Sequence, residues 1–309
     1  MQHLTVGVFH DDALGNELGK KGTLSDIAMY HRKTDEHIFT FMSPVEEKLS
    51  AKSQIISTID AAVVVFSQMT RELGETILML DLMGVKHGVS VATPYATTEQ
   101  IRSLTQGTSI NAFHTVEKDP NVVLGLLKTI APSRDTASPA SVVVDHSFSV
   151  KGVGEVALGF VKKGVIKKYE ELNLLPAGKQ VIVRSIQVQD EDVETAEAGT
   201  RVGLAIKGAT LEELGRGSVL TSSNDVRALE KMDLTFQRSS FYAGEVREGV
   251  FHATAGMQTN PVTFCNPREN SLVIESSKPI IHEPRDTVLL LDLNAQKTRV
   301  IGKGTVREG

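Results

Sequence analysis

The sequence predicts an α/β domain followed by two β-barrel domains, and three observations lead to this fold class. In the first part of the chain, apolar runs alternate with helical patterns, which is typical of a parallel sheet covered by helices on both faces. A small, polar, proline-bearing stretch, APSRDTASPAS at 131–141, then indicates a linker. Beyond it the apolar runs become short, β-branched and separated by glycine turns, as in antiparallel barrels. The predicted domains span residues 1–133, 140–223 and 226–309.

Apolar periodicity predicts the elements of the first domain. Buried strands are expected at 4–9, 37–42, 61–66 and 88–92. Helices are expected at 70–84, 97–104 and 121–130. Thr70 is suited to cap the first of these helices and Gly84 to end it, while Thr97 and Gln100 have the spacing of a capping box.

The composition excludes several classes of protein. A formal net charge of -5 argues against binding to nucleic acid through bulk charge, although a local basic face stays open. Cys265 is the single cysteine, which excludes an internal disulfide and a cysteine-based zinc site. The histidines have no metal-ligand spacing, so no metal is expected. No apolar run reaches about 18 residues, and we expect a cytoplasmic protein without a membrane span.

Four stretches carry a resemblance to a known family. The segment 60–92, DAAVVVFSQMTRELGETILMLDLMGVKHGVSVA, resembles the GTPase domain of elongation factor Tu-type translational GTPases. Residues 150–166 and 196–208 resemble their second domain, and 241–264 resembles the third domain of the selenocysteine-specific branch. The resemblance implies a P-loop NTPase-type, GTPase-like α/β domain followed by two barrels. That branch has a further C-terminal domain, which we expect this chain to lack.

The phosphate-binding motif of the family is degenerate here. The motif G-x-x-x-x-G-K-[ST] cradles phosphates with backbone amides and binds magnesium through its hydroxyl group. In this chain the first glycine would fall at Leu14 and the hydroxyl at Lys21. Asp11 and Asp12 follow the first strand and place negative charge where a triphosphate would sit. We therefore expect an acid-capped short helix at this position.

Two further nucleotide motifs have also lost their chemistry. At the D-x-x-G motif, Met42 replaces the aspartate and Val45 the glycine, and Glu46 replaces the histidine that follows. At the N-K-x-D motif, Thr93 replaces the asparagine and Ala96 the aspartate that accepts hydrogen bonds from guanine. The resemblance therefore predicts a GTPase fold that binds neither GTP nor magnesium and has no catalytic residues.

The second domain keeps residues that resemble the aminoacyl pocket of the selenocysteine-specific branch. Asp145 and His146 lie early in the barrel and Arg201 lies late in it. Arginine stays charged at any working pH, and histidine can be charged or donate a hydrogen bond. The resemblance implies that these three residues contact an aminoacyl group. The same residue types also hold barrels together, and the sequence leaves both interpretations open.

Four lysines in the same barrel are candidate RNA contacts. Lys162, Lys163, Lys167 and Lys168 flank a predicted hairpin. If they contact RNA, they would bind phosphates and would not read bases. Solvated hairpin charge is the competing interpretation.

These observations predict a non-catalytic translation-factor homologue, or pseudo-GTPase. Its expected partners are an aminoacyl-tRNA, a tRNA-like RNA or the ribosomal factor site. One alternative is an active GTPase with an unorthodox site in which Lys20 or Lys21 binds phosphates. A second alternative is a protein-binding adaptor. The sequence does not indicate an oligomeric state.

Overall fold

The computed structural model describes residues 1–307, and its first domain is built around a seven-stranded sheet. Its strands are β1 Gln2–Phe9, β2 Lys20–Leu24, β3 Ile27–Lys33, β4 His37–Pro44, β5 Ala61–Phe66, β6 Gly88–Ala92 and β7 His114–Glu117. Its helices are α1 Asp12–Leu18, α2 Leu49–Ile56, α3 Arg71–Leu82, α4 Thr98–Thr105 and α5 Pro120–Leu127. The four strands and three helices expected from the sequence are all present.

Helix ends in this domain follow the capping signals of the sequence. The Thr70 side chain accepts a hydrogen bond from the backbone amide of Leu73, and Thr97 and Gln100 form a complete capping box. Gly84 has a left-handed φ of 69°, which suits the chain reversal after α3. The short helix α1 is capped by an aspartate, as expected. The Asp11 side chain accepts hydrogen bonds from the backbone amides of Ala13 and Leu14.

The sheet order is β2-β3-β4-β1-β5-β6-β7. Strands β4, β1, β5, β6 and β7 are parallel, whereas β2 and β3 form an antiparallel hairpin at the edge. The expected sheet was wholly parallel, and the hairpin is the difference. The hairpin was missed because apolar and polar residues alternate too weakly in β2 to distinguish it from a loop. Four of the five residues of β2 are exposed.

Helices cover both faces of this sheet. Apolar side chains of α1 and α5 pack on one face, and those of α2 and α3 pack on the other. The cluster around α2 and α3 continues into the third domain, where Leu289, Leu291 and Val300 join it. The core of the first domain therefore extends across a domain boundary.

Two barrels follow, and each is closed. The strands of the second domain are β8 Ser141–Val150, β9 Gly154–Lys163, β10 Val165–Lys167, β11 Glu171–Leu175, β12 Lys179–Val188, β13 Glu191–Val193, β14 Thr195–Glu197, β15 Arg201–Lys207 and β16 Val219–Thr221. The strands of the third domain are β17 Arg227–Arg238, β18 Gly249–Ala255, β19 Gln258–Arg268, β20 Ser271–His282, β21 Thr287–Leu291 and β22 Val300–Val306. The second-domain sheet, β11-β16-β8-β9-β15-β12-β13, closes where β11 pairs with β12, and the third closes in the order β17-β20-β19-β18-β21-β22. Of the predicted third domain, residues 308–309 lie outside the described residues.

Charged and polar contacts hold the three domains together. Glu75 of α3 is 1 % exposed and receives charged hydrogen bonds from two nitrogens of Arg299, from Nη2 at 2.6 Å and from Nε at 3.0 and 3.2 Å. Ser53 of α2 shares a buried hydrogen bond of 2.8 Å with Thr254 of the third domain. In the linker, Arg134 pairs with Asp60 at 2.6 Å and thereby fixes the connection between the first two domains.

The Glu75–Arg299 pair gives a test of the first-to-third domain interface. Arg299→Ala would remove the guanidinium from a buried carboxylate and leave it only a backbone amide at 2.8 Å and the more distant Arg71 at 3.9 Å. We expect the free energy of unfolding to fall by about 3–5 kcal/mol. Chemical denaturation measures this loss. The matched control is Lys231→Ala, which removes the exposed pair with Glu275 in the same domain and should cost less than about 1 kcal/mol. Equal losses for the two variants would contradict a structural role for the buried pair.

Candidate functional site

A charged pair lies on the outer face of the second barrel, toward the first domain. Asp145 of β8 accepts a hydrogen bond of 2.7 Å from Nη2 of Arg201, the first residue of β15. A β-bulge at Asp145 interrupts the pairing of β8 with β9. The guanidinium also lies 5.7 Å from the ring of Phe160. Sequence positions 145 and 201 are therefore brought into direct contact.

This pair retains unused hydrogen-bonding capacity. Within residues 1–307, Oδ1 of Asp145 and Nε of Arg201 are buried and have no hydrogen-bond partner. The Asp145 side chain is 1 % exposed, so its second oxygen has little access to bulk water. An unpaired buried polar atom is costly, and a ligand or an ordered water could satisfy each of these two. The pair can offer one donor and one acceptor to such a group.

His146 lies on the same face of the barrel but outside this pair. It pairs in register with Leu158 of β9, and its ring packs against Phe148 at 6.0 Å. Within residues 1–307, Arg201 donates a hydrogen bond to the Asp145 side chain and none to the His146 ring. The structure therefore brings together two of the three predicted pocket residues.

A different histidine approaches the pair from the first domain. His31 of β3 lies close enough that burial first, and then the charge of Arg201, lower its pKa from 6.5 to about 4, while the charge of Asp145 opposes this. The His31 ring lies over Gly22 of β2, and a Cβ atom added to Gly22 would lie 2.8 Å from this ring. A histidine on an irregular edge hairpin carries no spacing signal, and the sequence did not single out His31.

Arg216 connects the pair to the first domain. Its Nε donates to the backbone oxygen of Asp145 at 3.2 Å, and its two terminal nitrogens contact Asp26 and Ser25 in the turn of the β2–β3 hairpin. Burial opposes the ionised form of Asp26, but the hydrogen bond and charge of Arg216 prevail and lower the pKa of this carboxyl. The sequence offered no signal for this contact, because the partners are 190 residues apart.

A cleft of about 1330 Å³ opens between the β2–β3 hairpin and the second barrel. Arg201 and His31 are among its lining residues. The hairpin contributes the cations Lys20, Lys21, Arg32 and Lys33. The barrel contributes the apolar side chains Phe148, Val150, Val153, Val156 and Leu158, with Asp190 and Asp192 at one edge. The cleft thus has a mainly cationic wall, with Glu17 of α1 beside it, facing a barrel wall that is partly apolar and partly polar.

The position of the family's nucleotide site holds carboxylates. A second depression, lined by residues that follow β1, β4 and β5, contains the carboxylates of Asp11, Asp12, Glu46, Glu47 and Glu72. Asp11 caps α1 and pairs with Lys118 at 2.6 Å. The fold implies a guanine nucleotide with magnesium, but a triphosphate would meet repulsion from these side chains. The residues present do not fit that group.

Ion pairs within the chain neutralise part of this acidic cluster. Glu47 contacts Nδ1 of His10 at 3.3 Å and also pairs with Lys52, whose side chain is 1 % exposed. Burial, followed by the charge of Lys52, lowers the pKa of His10 to about 3. Glu46 and Glu47 both have left-handed backbones, with φ of 57° and 53°. The loop after β4 is therefore fixed by contacts inside the protein.

The other degenerate motifs are built into the fold. Met42 is fully buried near the end of β4, and Ala96 is fully buried after β6. The Thr93 hydroxyl donates to the backbone oxygen of Phe66 at 2.8 Å. These side chains pack the domain and present no carboxylate to a nucleotide.

The four candidate lysines separate into two groups. Lys162 pairs with Asp286 at 3.1 Å and Lys163 pairs with Glu283, so both contact the third domain. Lys168 pairs with Glu194 at 3.1 Å within its own barrel, whereas the Lys167 side chain is exposed. An RNA would have to compete with these carboxylates at three of the four positions, and the role of the lysines in RNA binding stays a prediction.

Within residues 1–307, no cluster of three or more histidine, cysteine or carboxylate side chains has the geometry of a metal site. Over the same range, no helix combines the length and apolar character needed to cross a bilayer.

The lowered pKa of His31 predicts how stability depends on pH. Between pH 6.5 and about 4 the unfolded chain binds a proton at this position that the folded protein does not, so the free energy of unfolding should fall as pH decreases through this window. His31→Gln should make that fall less steep in denaturation measured at several pH values. His114→Gln, at an exposed position, is the control and should leave the slope unchanged. An unaltered slope in His31→Gln would show that the ring is not buried in its neutral form.

Sequence comparisons place the chain among translation factors. The family model for elongation factor Tu domain 2 matches residues 154–221. An uncharacterized protein of Methanocaldococcus jannaschii is 32% identical over 308 residues, covering 98% of this chain and 99% of the relative. The selenocysteine-specific elongation factor of the same organism is 29% identical over 205 residues, which are 59% of this chain and 44% of that factor.

Structural comparison agrees with the sequence comparisons. Translation elongation factor SelB from Methanococcus maripaludis, solved in complex with the GTP analogue GppNHp, matches all of this chain and 79% of its own, with a TM-score of 0.86 and 24% identity. This likeness extends the shared fold to all three domains. The chain therefore contains an elongation factor Tu domain 2, and it is similar to the selenocysteine-specific elongation factors in sequence and to SelB in the fold of all three domains.

Proposed function

We propose that this protein is a non-catalytic translation-factor homologue that binds the aminoacylated end of a tRNA or a tRNA-like RNA in the cleft between its first two domains. One observation carries the proposal. Arg201 lines this cleft, and its pair with the buried Asp145 retains one donor and one acceptor without partners among residues 1–307. The similarity to selenocysteine-specific elongation factors makes an aminoacyl group the natural candidate for these atoms.

The electrostatics of the pair define what such a group would offer. Asp145 balances the charge of Arg201 at 2.7 Å, so the pair presents hydrogen bonds with little net charge. The neutral ring of His31 adds no charge. A group with both a donor and an acceptor would satisfy the two free atoms, and each charge-assisted hydrogen bond contributes about 1.5–3 kcal/mol.

The proposal includes the absence of GTP-dependent chemistry. Five carboxylates line the position of the nucleotide, and the Lys52–Glu47 contact already balances one of them. The unorthodox GTPase would use Lys20 or Lys21, but the strand register places Lys20 level with Thr5 of β1 and three strands away. At about 4.8 Å per strand, Lys20 lies roughly 14 Å to the side of β1 and well before its carboxyl end. We therefore propose no cofactor for this protein, and action in the cytoplasm on tRNA or at the ribosome.

One prediction of this proposal concerns the paired residues Asp145 and Arg201. Asp145→Asn combined with Arg201→Met removes both charges together, which avoids leaving a buried ion alone. We expect the double variant to bind aminoacylated tRNA at least about tenfold more weakly, because losing one charged hydrogen bond costs about 1.5–3 kcal/mol. Filter binding of wild type and variant measures the change, with thermal denaturation to confirm folding. Unchanged affinity in a folded variant would reject the pair as an aminoacyl contact.

The second prediction concerns nucleotides. Calorimetric titration of nucleotide-free protein with GTP and with GDP, each with magnesium, should show no binding at micromolar concentrations, since the carboxylates repel a triphosphate. Magnesium-dependent micromolar binding would establish the active GTPase instead.

RNA sequencing of material that co-purifies with the protein from its native cells separates the RNA-binding proposal from the adaptor. Protein partners recovered without RNA would favour the adaptor.

A further inference from the structure

The β2–β3 hairpin carries two cations that the rest of the described chain leaves unpaired. Lys20 and Lys21 line the interdomain cleft, and neither has an ion-pair partner within residues 1–307. Lys33, two positions beyond His31 on the partner strand, is already engaged with Glu191 of the second barrel at 2.8 Å. Within residues 1–307, the charge on this wall that no carboxylate pairs therefore lies on β2 and on Arg32 of β3, whose guanidinium donates to the backbone oxygen of Leu18 at 3.2 Å. The protein as a whole has a formal net charge of -5.

Contacts inside the chain hold the hairpin against the second barrel. Arg216 contacts Asp26 and Ser25 in its turn, and the Lys33–Glu191 pair ties down its far end. Strand β3 also pairs with β4 over seven consecutive residues. These contacts fix the cationic wall at both ends, and none of them involves a carboxylate that lines the position of the nucleotide.

The opposite wall can accept a flat apolar ring. Phe148 of β8 is 38 % exposed and lines the cleft together with Val156 and Leu158. Lysines along one side and an exposed aromatic ring on the other are the combination by which proteins bind single-stranded nucleic acid. The cleft volume of about 1330 Å³ exceeds the roughly 300–1000 Å³ of small-molecule pockets, so it has room for more than one nucleotide.

We propose that the β2–β3 hairpin is a permanent phosphate-binding wall, with Lys20 and Lys21 contacting phosphates of the single-stranded 3′ end of the bound RNA. This inference rests on the proposed function and adds its regulation. The wall is in place without any nucleotide, so RNA binding requires no GTP. The terminal nucleotides would lie between the lysines and Phe148, and the attached group would reach the Asp145–Arg201 pair.

The test uses the full chain and fluorescently labelled, unfractionated aminoacylated tRNA as the probe. We expect the Lys20→Ala/Lys21→Ala double variant to bind about tenfold or more weakly than wild type. Its plot of log affinity against log salt should be shallower by about 1.4, because each single-strand phosphate that a lysine neutralises contributes about 0.7 to the slope. The matched control is Lys86→Ala/Lys128→Ala, which removes two exposed lysines of the same domain outside the cleft and should behave as wild type.

Two further arms examine the RNA end and the nucleotide. A tRNA probe trimmed of its single-stranded 3′ nucleotides should bind wild type weakly, and the hairpin variant should bind this trimmed probe no more weakly than wild type does. Adding GTP or GDP with magnesium should change the wild-type affinity less than twofold.

The outcomes separate this proposal from the proposed function. If wild type binds aminoacylated tRNA but the hairpin variant binds it equally well, the hairpin proposal is wrong and the proposed function stands. If trimmed tRNA binds as tightly as intact tRNA, or GTP changes affinity tenfold, the permanent 3′-end wall is likewise wrong. If wild type binds no tRNA, both proposals are wrong. Polyglutamate is then the probe for an acidic protein surface, and its binding to the wild type would identify such a surface as the ligand of the cleft.

Discussion

The position of Arg216 is the constraint on which the geometry of the candidate site depends. This side chain belongs to the second domain, hydrogen-bonds the backbone of Asp145 and reaches Asp26 and Ser25 in the first domain. It therefore sets the distance between the hairpin and the Asp145–Arg201 pair. A planar guanidinium with five donors can hold three acceptors at once in a fixed geometry, which lysine cannot do.

A second network fixes the part of the first domain that a nucleotide controls in working switches. Glu47 lies between His10 and the buried Lys52, and its own backbone is left-handed. In a switch, ordering of such a loop requires the γ-phosphate and its magnesium ion. Here the contacts of Glu47 with His10 and Lys52 hold the loop from within the protein. Because a ligand shifts an equilibrium only by its differential affinity for two states, a loop already held in one state gives a nucleotide little to change.

The sequence predicted the parts of this protein that repeat a regular pattern. Buried runs such as 61–66 and caps such as Thr70 have local signals, and the structure has them at the expected positions. The family resemblance assigned Asp145 and Arg201 to one pocket, and the structure places them in contact, while their binding of an aminoacyl group stays a prediction. The hairpin, His31 and Arg216 were missed for a physical reason. Their roles come from contacts between residues that are far apart in sequence, and an exposed edge strand has no apolar alternation to reveal it.

A fixed cleft changes what must control binding. In a switching factor the free energy of nucleotide binding alters the affinity for RNA, and the coupling acts in both directions. If no nucleotide binds, that coupling is zero, and release of the RNA must follow from its own dissociation rate or from competition by another partner. The contacts proposed for Lys20 and Lys21 are with phosphates, whose strength depends on released counterions. Binding by such a factor would therefore respond to ionic strength and to the state of the RNA end, and the closed arrangement of the three domains would stay the same throughout.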